Sequence, residues 1–264
     1  MNTKPFASRP SGRTLLVTRI ADGIWHALED DLVVGRGHAA RRPDGRLFVS
    51  IDAWHDAAFE QLAEAMLAAL PAPLYTLVDE ADVDMASGWQ RVGFTVRRRE
   101  WEFAVPTDPL TTGLAGVVPP PGVTIVPVGA ADEGPLRAVD RAIRREVAAG
   151  AGWHSMPAEI LPRRAGDTIV DPSRYAAAAS ADRYLGLVRL VAVTRLPRIG
   201  LIAVRAGEQR RGIARALLAD VLGTLDQRGI ATASAEVDEA NEAALALFEG
   251  IGSRKTSSNL ELAR

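Results

Sequence analysis

The stretch VRAGEQRRGIARALLADVL, residues 204–222, runs from a β-like apolar segment through a polar turn into an amphipathic helix. The first turn of a helix presents unpaired backbone N–H groups and the positive end of the helix dipole, and both favour anions. Gly212 and Ala214 lack the bulk that would hold a ligand away from those N–H groups. The turn therefore predicts an anion site at the start of this helix.

Arginines at positions 210, 211 and 215 add charged donors to the same turn. The helix dipole contributes only about 0.3–1 kcal/mol, whereas a hydrogen bond to a charged partner contributes about 1.5–3 kcal/mol. Several converging donors would therefore dominate the binding of a phosphate ester. The alternative is that these arginines only form a solvated helix start. A nucleotide P-loop is disfavoured because no Gly-Lys-Ser/Thr follows, and the three spaced glycines of a dinucleotide fold are missing.

Composition limits the classes of function. The 264 residues are 47% hydrophobic and carry a formal charge of −2, which argues against nucleic acid or anionic membrane as a partner. The absence of cysteine excludes disulfides, thiolate metal sites and cysteine nucleophiles. The N-terminus lacks the apolar segment of a signal peptide, and no uncharged apolar run approaches the ~18–20 residues that span a bilayer. We therefore expect a cytoplasmic protein.

A Pro/Gly-rich stretch at residues 105–123 divides the chain, since it holds five prolines and three glycines. The predicted units are 1–105, a linker at 106–122, and 123–264. The last unit shows strand and helix patterns in an order that predicts an α/β (α+β) fold.

The first unit repeats parts of this plan. An aromatic residue lies four positions before both Gly93 and Gly252, and an apolar–Glu–apolar triplet begins eight positions after each. Corresponding residues of the two halves are separated by 151 positions at one point of comparison and by 159 at another. An insertion of eight residues in the second half would explain the difference. We interpret this as a diverged tandem duplication, with coincidence as the alternative. The first copy has no glycine where the second has its turn. There Asp56 is expected to cap the helix, and we expect this copy to act as scaffold.

The turn resembles the acetyl-CoA motif of the GNAT superfamily of N-acetyltransferases. The residues that carry the resemblance are Gln209, Arg210, Arg211, Gly212, Ile213 and Ala214. About thirty residues later, Asn241, Ala244 and Gly252 resemble the family's Asn-x-x-Ala helix, which is closed by a glycine. The resemblance covers residues 123–264. It implies tandem GNAT-like domains with a degenerate first copy, each a mixed, mostly antiparallel twisted sheet flanked by helices.

The resemblance also implies acetyl-CoA as co-substrate and no metal. The diphosphate would lie on the N–H groups of residues 209–215, which include Arg215. The pantetheine arm would pair with Ile202, Ala203 and Val204, in a strand that diverges from the strand at 231–237. Asn241 would hold the cofactor or the backbone, or would only cap its helix.

The implied reaction is direct attack of an amine on the thioester. Phe248 occupies the position where many relatives carry a tyrosine that protonates the thiolate. The candidate general bases are Glu236, Asp238 and His154, and each has a structural alternative: a solvent-facing strand residue, a helix cap and a packed loop histidine.

Three functions follow. The first is an N-acetyltransferase acting on a primary amine of a small molecule or amino-acid derivative, as a monomer or homodimer. The second is a non-catalytic acyl-CoA sensor, which Phe248 and the lack of an acid in the strand at 198–205 favour. The third is an interaction scaffold, and the intact turn argues against it.

Overall fold

The computed structural model describes residues 15–42, 45–150, 170–181, 183–191 and 196–264. In these residues twelve β-strands form one sheet flanked by five α-helices. The elements of the first half are β1 (Leu15–Ala21), β2 (Ile24–Glu29), β3 (Leu32–Arg41), β4 (Leu47–Ala53), α1 (Asp56–Ala69), β5 (Leu74–Asp79), α2 (Val83–Arg91) and β6 (Thr95–Pro106). Those of the second half are β7 (Thr124–Val126), α3 (Glu133–Ala149), β8 (Tyr175–Ser180), β9 (Arg183–Val191), β10 (Arg198–Val204), α4 (Ile213–Gln227), β11 (Thr232–Asp238), α5 (Glu242–Glu249) and β12 (Arg254–Ala263).

The strand order is β1-β2-β3-β4-β5-β12-β6-β11-β10-β9-β8-β7. Only the β4–β5 and β10–β11 pairs are parallel among these strands. The predicted class, a mixed and mostly antiparallel sheet flanked by helices, is confirmed. No helix in the described part of the chain is both long enough and apolar enough to cross a membrane.

The two halves exchange their last strands. β12, from the second half, lies between β5 and β6 of the first half, and β6 lies between β12 and β11. As a result, β11 pairs with β6 along the whole length of β11, from Thr232↔Pro106 to Asp238↔Glu100. The sheet is therefore continuous across the boundaries predicted at 1–105, 106–122 and 123–264, and that division stays a prediction.

Apolar residues at strand and helix spacing form cores on the two faces of the sheet. In the first half α1 covers a core that includes Trp25, Leu62 and Trp89. In the second half α4 covers one face through Leu217, Leu218 and neighbouring residues. On the opposite face α3 covers a smaller core. The first half has no helix that corresponds to α3 among its described residues.

The Pro/Gly-rich stretch packs on the second half. Leu114 is buried in the α4 core, and the Thr107 hydroxyl donates to the Ile230 carbonyl. An Arg215 Nη2 donates to the Gly113 carbonyl at 3.3 Å, which joins the stretch to the first turn of α4. These contacts tie the segment to the helix that carries the predicted anion site.

Candidate active site

A gap opens between β10 and β11. The two strands pair only at Arg198↔Ser234 and Ile199↔Ala235, and the register of β10 against β9 then shifts between Ile199 and Leu201. A bulge of this kind bends the strand and changes the direction of the residues that follow it. Beyond the bulge β10 keeps its partner β9 but is no longer paired with β11.

The predicted pantetheine residues lie along this gap. Ile202, Ala203 and Val204 pair with β9 at Val188, Leu187 and Gly186. Their other edge has no strand partner among the described residues, because the pairing with β11 has already ended. An unpaired strand edge can accept an extended chain as an additional strand.

The turn at residues 205–212 leads from β10 into α4. Arg210 and Gly212 both have left-handed backbone conformations, with φ of 62° and 86°. No side chain caps α4, and the described residues provide no acceptor for the backbone N–H groups of residues 210–215. A Cβ placed on Gly212 would meet nothing within 4 Å. The N–H groups are thus accessible to a ligand, and successive N–H groups in such turns form anion-binding concavities.

The arginines of the turn differ in their partners. Arg211 forms an ion pair with Glu208, which also pairs with Arg183 at 3.2 Å. Arg215 donates to the linker, as described above, and Arg210 is exposed and has no side-chain partner among the described residues. Sequence reasoning did not consider Glu208, which partly neutralises the turn. The backbone N–H groups and Arg210 are therefore the donors that remain for an anion.

Glu146, near the end of α3, holds the start of the turn. Its carboxylate accepts from the Ala206 N–H at 2.8 Å and from Arg205 Nε at 2.6 Å. Burial acts to raise the pKa of Glu146, but these hydrogen bonds outweigh it and hold that pKa below its usual value. The Gln209 side chain completes the anchoring, since its Nε2 donates to the Val204 carbonyl at 3.1 Å. No local sequence signal indicates the Glu146 contacts, because they join residues sixty positions apart.

Two of the three candidate bases lie on β11 and differ in their surroundings. Glu236 is half-buried, and its Oε2 lies 2.9 Å from an Arg198 guanidinium nitrogen. Asp238 is buried; its Oδ1 accepts from the Ala240 N–H at 2.8 Å, and its Oδ2 lies 3.5 Å from Arg98 Nε. Both oxygens of Asp238 are thus engaged in the turn after β11 and in an ion pair. The third candidate, His154, lies outside the described residues.

The remaining predicted residues lie on or beside α5. The Asn241 Oδ1 accepts from the Ala244 N–H at 3.1 Å, so this residue caps α5, and its role toward the cofactor stays a prediction. Phe248 is buried and stacks on Phe103 of β6, with ring centroids 5.8 Å apart. The Phe248 ring therefore packs in the core of the second half against β6, the strand that comes from the first half.

Comparison with known proteins identifies the second half. Residues 145–252 match the model of the acetyltransferase (GNAT) family. Over these residues the chain is similar to GNAT-family acetyltransferase domains. The resemblance predicted from the turn and the Asn-x-x-Ala helix is thereby confirmed, and the matched segment includes the turn, α4, β11 and α5.

The curated relatives match a short part of the chain. Over 51 residues the chain is 47% identical to the ribosomal protein bS18-alanine N-acetyltransferases of Escherichia coli (strain K12) and Shigella flexneri. The match covers 19% of this chain and 34% of each relative, so the chain spans about a third of the length of these relatives.

Solved structures share the fold over most of the chain. A GCN5-related N-acetyltransferase from Sphaerobacter thermophilus has a TM-score of 0.61 at 18% identity, covering 94% of this chain and 82% of that one. A tandem GNAT protein from the clavulanic acid biosynthesis pathway has a TM-score of 0.64 at 13% identity, covering 91% and 82%. At these identities the likeness establishes the fold, and the second match supports a tandem arrangement.

Proposed function

We propose that this protein is an acetyl-CoA-dependent N-acetyltransferase acting on a primary amine of a small molecule or amino-acid derivative. The single observation that carries the proposal is the conjunction of an uncapped, open turn at 205–212 with the gap between β10 and β11. One end of this arrangement offers donors to a diphosphate, and the other offers an unpaired strand edge to an extended arm.

The residues present fit acetyl-CoA. The N–H groups of residues 210–215 and Arg210 would hold the diphosphate, because they have no acceptor in the part of the chain that the structure describes and Gly212 leaves the backbone open. Residues 202–204 would hold the pantetheine arm through backbone hydrogen bonds. Acetyl-CoA, when bound, supplies a thioester: its C–S bond breaks as the amine forms a C–N bond, and the CoA thiol and an N-acetyl product result.

Glu236 is the base that the geometry favours. It lies on β11 directly after the last residues paired with β10, so its side chain is at the mouth of the gap. Because it is half-buried and bonded to Arg198, its carboxylate is held in place where it could accept the proton lost by the attacking amine. Asp238 is less suited, because both its oxygens are already engaged.

A non-catalytic acyl-CoA sensor is the second candidate. It is favoured by Phe248, whose ring is buried against Phe103 and has no hydroxyl to protonate a leaving thiolate. In a transferase that proton would come from water or from another group.

Release of CoA thiol across a panel of amines separates the two functions. The panel contains amino acids, their carboxamides, aliphatic amines and a peptide with an N-terminal alanine, since the curated relatives are named for acetylating the alanine of a ribosomal protein. Thiol release with any amine supports the transferase. Binding of acetyl-CoA without release against every class would support the sensor. No binding at all would overturn both.

A further inference from the structure

Glu102 lies on β6, the strand of the first half that pairs with β11. In that antiparallel pair it is directly opposite Glu236, the proposed base. Side chains at directly opposed positions leave the sheet on the same face, with their Cβ atoms about 5 Å apart. The first half therefore places a second carboxylate beside the base.

Both carboxylates lie on the face of the sheet opposite α4. Phe103 of β6, and Ala235 and Val237 of β11, pack in the core that α4 covers. Because successive side chains of a strand point to opposite faces, Glu102 and Glu236 point away from that core. The proposed diphosphate site is at the start of α4, so the opposite face is the one from which an acceptor would approach the gap.

Solvent reaches this part of the sheet. The side chain of Glu236 is 32% exposed. Glu102 and Ser257, its neighbour on β12, are half-buried. Neither glutamate is sealed from solvent, so a ligand can reach them without displacing a buried core side chain.

Glu102 differs from the other acids of β6 and β11 in having no arginine partner. Each of the others forms an ion pair: Glu100 and Asp238 with Arg98, and Glu236 with Arg198. The Oε2 of Glu102 accepts a hydrogen bond from the Ser257 hydroxyl at 2.6 Å, and the carboxylate forms no ion pair within the described ranges. Its negative charge is therefore not neutralised by this part of the chain.

The position of Glu102 does not favour the fold. Like charges directly opposite each other in a sheet are destabilising, and Glu236 is the residue directly opposite. A cation bound beside Glu102 would relieve this repulsion. The pair thus points to an acceptor that brings a positive charge of its own.

We propose that Glu102 binds a second cationic group of the acceptor, and that the acceptor is an aliphatic diamine. The attacking nitrogen is neutral and lies next to Glu236, whose charge is balanced by Arg198. The other nitrogen stays an ammonium ion and pairs with Glu102. This inference rests on the proposed acetyl transfer and narrows its substrate. Glu102 is then a specificity-determining residue that the first half contributes to the site.

The test compares diamines of three to five carbons with monoamines of equal length, in which a methyl group replaces the second ammonium. One such pair is 1,4-diaminobutane and 1-aminopentane. In the native protein we expect kcat/KM for the best diamine to exceed that of its monoamine by about tenfold or more, mainly through KM. Glu102→Gln keeps the shape of the side chain and should lower the diamine to the level of the monoamine. Glu102→Asp should retain part of the preference.

A charge control and a stability measurement accompany this test. Glu249→Gln removes a half-exposed charge from α5, on the α4 side of the sheet, and should keep the preference for the diamine. Glu102→Gln removes a like-charge contact, so its free energy of unfolding should equal or exceed that of the native protein. Chemical denaturation measures this quantity, which a purely structural role of Glu102 would lower.

Three results would overturn the inference. Monoamines used as well as diamines by the native protein at every length would remove the need for a second cation while leaving acetyl transfer in place. An equal loss for both acceptors in Glu102→Gln, with a lower free energy of unfolding, would assign Glu102 a structural role. Thiol release with no amine of any class would overturn the proposed function itself. The comparison in the native protein holds even where the Glu102 variants fail to fold.

Discussion

The two halves share a similar order of strands but differ in the connection that leads from a parallel strand into the next helix. In each half a parallel strand pair is joined by only two residue pairs, at β4–β5 and at β10–β11. Two residues, Trp54 and His55, connect β4 to α1, whereas eight residues, 205–212, connect β10 to α4. The gap between strands is thus common to both halves, whereas the proposed anion site depends on the longer connection.

The helices that follow these connections show the same contrast. His55 Nδ1 accepts from the Ala58 N–H at 3.2 Å, so α1 satisfies part of its own N-terminus. The expectation that Asp56 caps this helix was wrong, because Asp56 is the first residue inside it. Within the described ranges α4 has no side-chain cap, and it begins at an open Gly212. Of the two helix starts, only that of α4 is left for a ligand.

The largest effect is expected from Gly212→Asp. A side chain there would occupy the space above the N–H groups and bring a negative charge to a diphosphate site. Loss of two charge-assisted hydrogen bonds, at about 1.5–3 kcal/mol each, corresponds to at least about a 100-fold weaker affinity. Isothermal titration calorimetry with acetyl-CoA measures the affinity of the variant and of the native protein.

Gly229→Asp is the matched control for that substitution. Gly229 also has a positive φ, 74°, and open space around its Cβ, but it lies beyond the other end of α4. Both variants place an L-residue in the left-handed region, which should destabilise each by about 1–2 kcal/mol. Only Gly212→Asp should lose acetyl-CoA; equal affinities in the two variants would contradict the assignment.

A comparably large effect, on turnover alone, is expected from Glu236→Gln. General-base catalysis typically contributes about 100-fold or more, so kcat should fall by that factor while acetyl-CoA affinity is retained. Asp238→Asn should mainly lower the free energy of unfolding, because it breaks a buried ion pair. Steady-state kinetics and chemical denaturation of both variants distinguish a catalytic base from a stabilising ion pair. A selective loss of kcat in Asp238→Asn would assign the base to Asp238 in place of Glu236.

A smaller effect is expected from Glu146→Gln, which weakens the anchor of the turn at Ala206 and Arg205. Loss of about 1 kcal/mol of hydrogen bonding would weaken acetyl-CoA binding by roughly fivefold to tenfold. Glu133→Gln, on the exposed face of the same helix, is the control.

The lowered pKa of Glu146 adds a pH dependence to this comparison. Because its pKa is lower in the folded protein, the ionised carboxylate stabilises the fold above the usual glutamate pKa. That contribution is lost as pH falls through the lowered folded value. The difference in melting temperature between the native protein and Glu146→Gln should therefore shrink on acidification. A difference that stays constant would show that the carboxylate has no such role.

The smallest effect is expected in the first half. His55→Ala removes the cap of α1 and should lower the free energy of unfolding by about 1 kcal/mol. Acetyl-CoA affinity and turnover should not change, because the proposed cofactor site lies at the start of α4 and not at α1. Chemical denaturation gives the first quantity, and a weakened affinity for acetyl-CoA would show that the first copy also takes part in binding.

Features that depend on residues close together in the chain could be predicted from the sequence. The turn, α4 and the Asn241 cap are encoded within a few positions of each other, so their pattern could be interpreted locally. The resemblance between the halves was also visible, because Trp89 and Phe248 each precede a glycine by four residues and both are buried in the folded protein. The difference in offset between the halves falls largely in the connection at 205–212.

The strand exchange could not be predicted, because β6 and β12 carry the same apolar–Glu–apolar pattern and either could complete either half. The contacts of Glu146 and Arg198 were missed for a related reason. Each joins residues far apart in the chain, and a single arginine or glutamate in a strand or helix gives no signal of its partner.

A crystal structure with bound acetyl-CoA tests most directly whether the connection at 205–212 forms the diphosphate-binding site. We predict one molecule per chain, with diphosphate oxygens about 3 Å from the backbone nitrogens of residues 210–215 and the acetyl group between β10 and β11. A diphosphate at the start of α1, or a cofactor bound away from both helix starts, would contradict it.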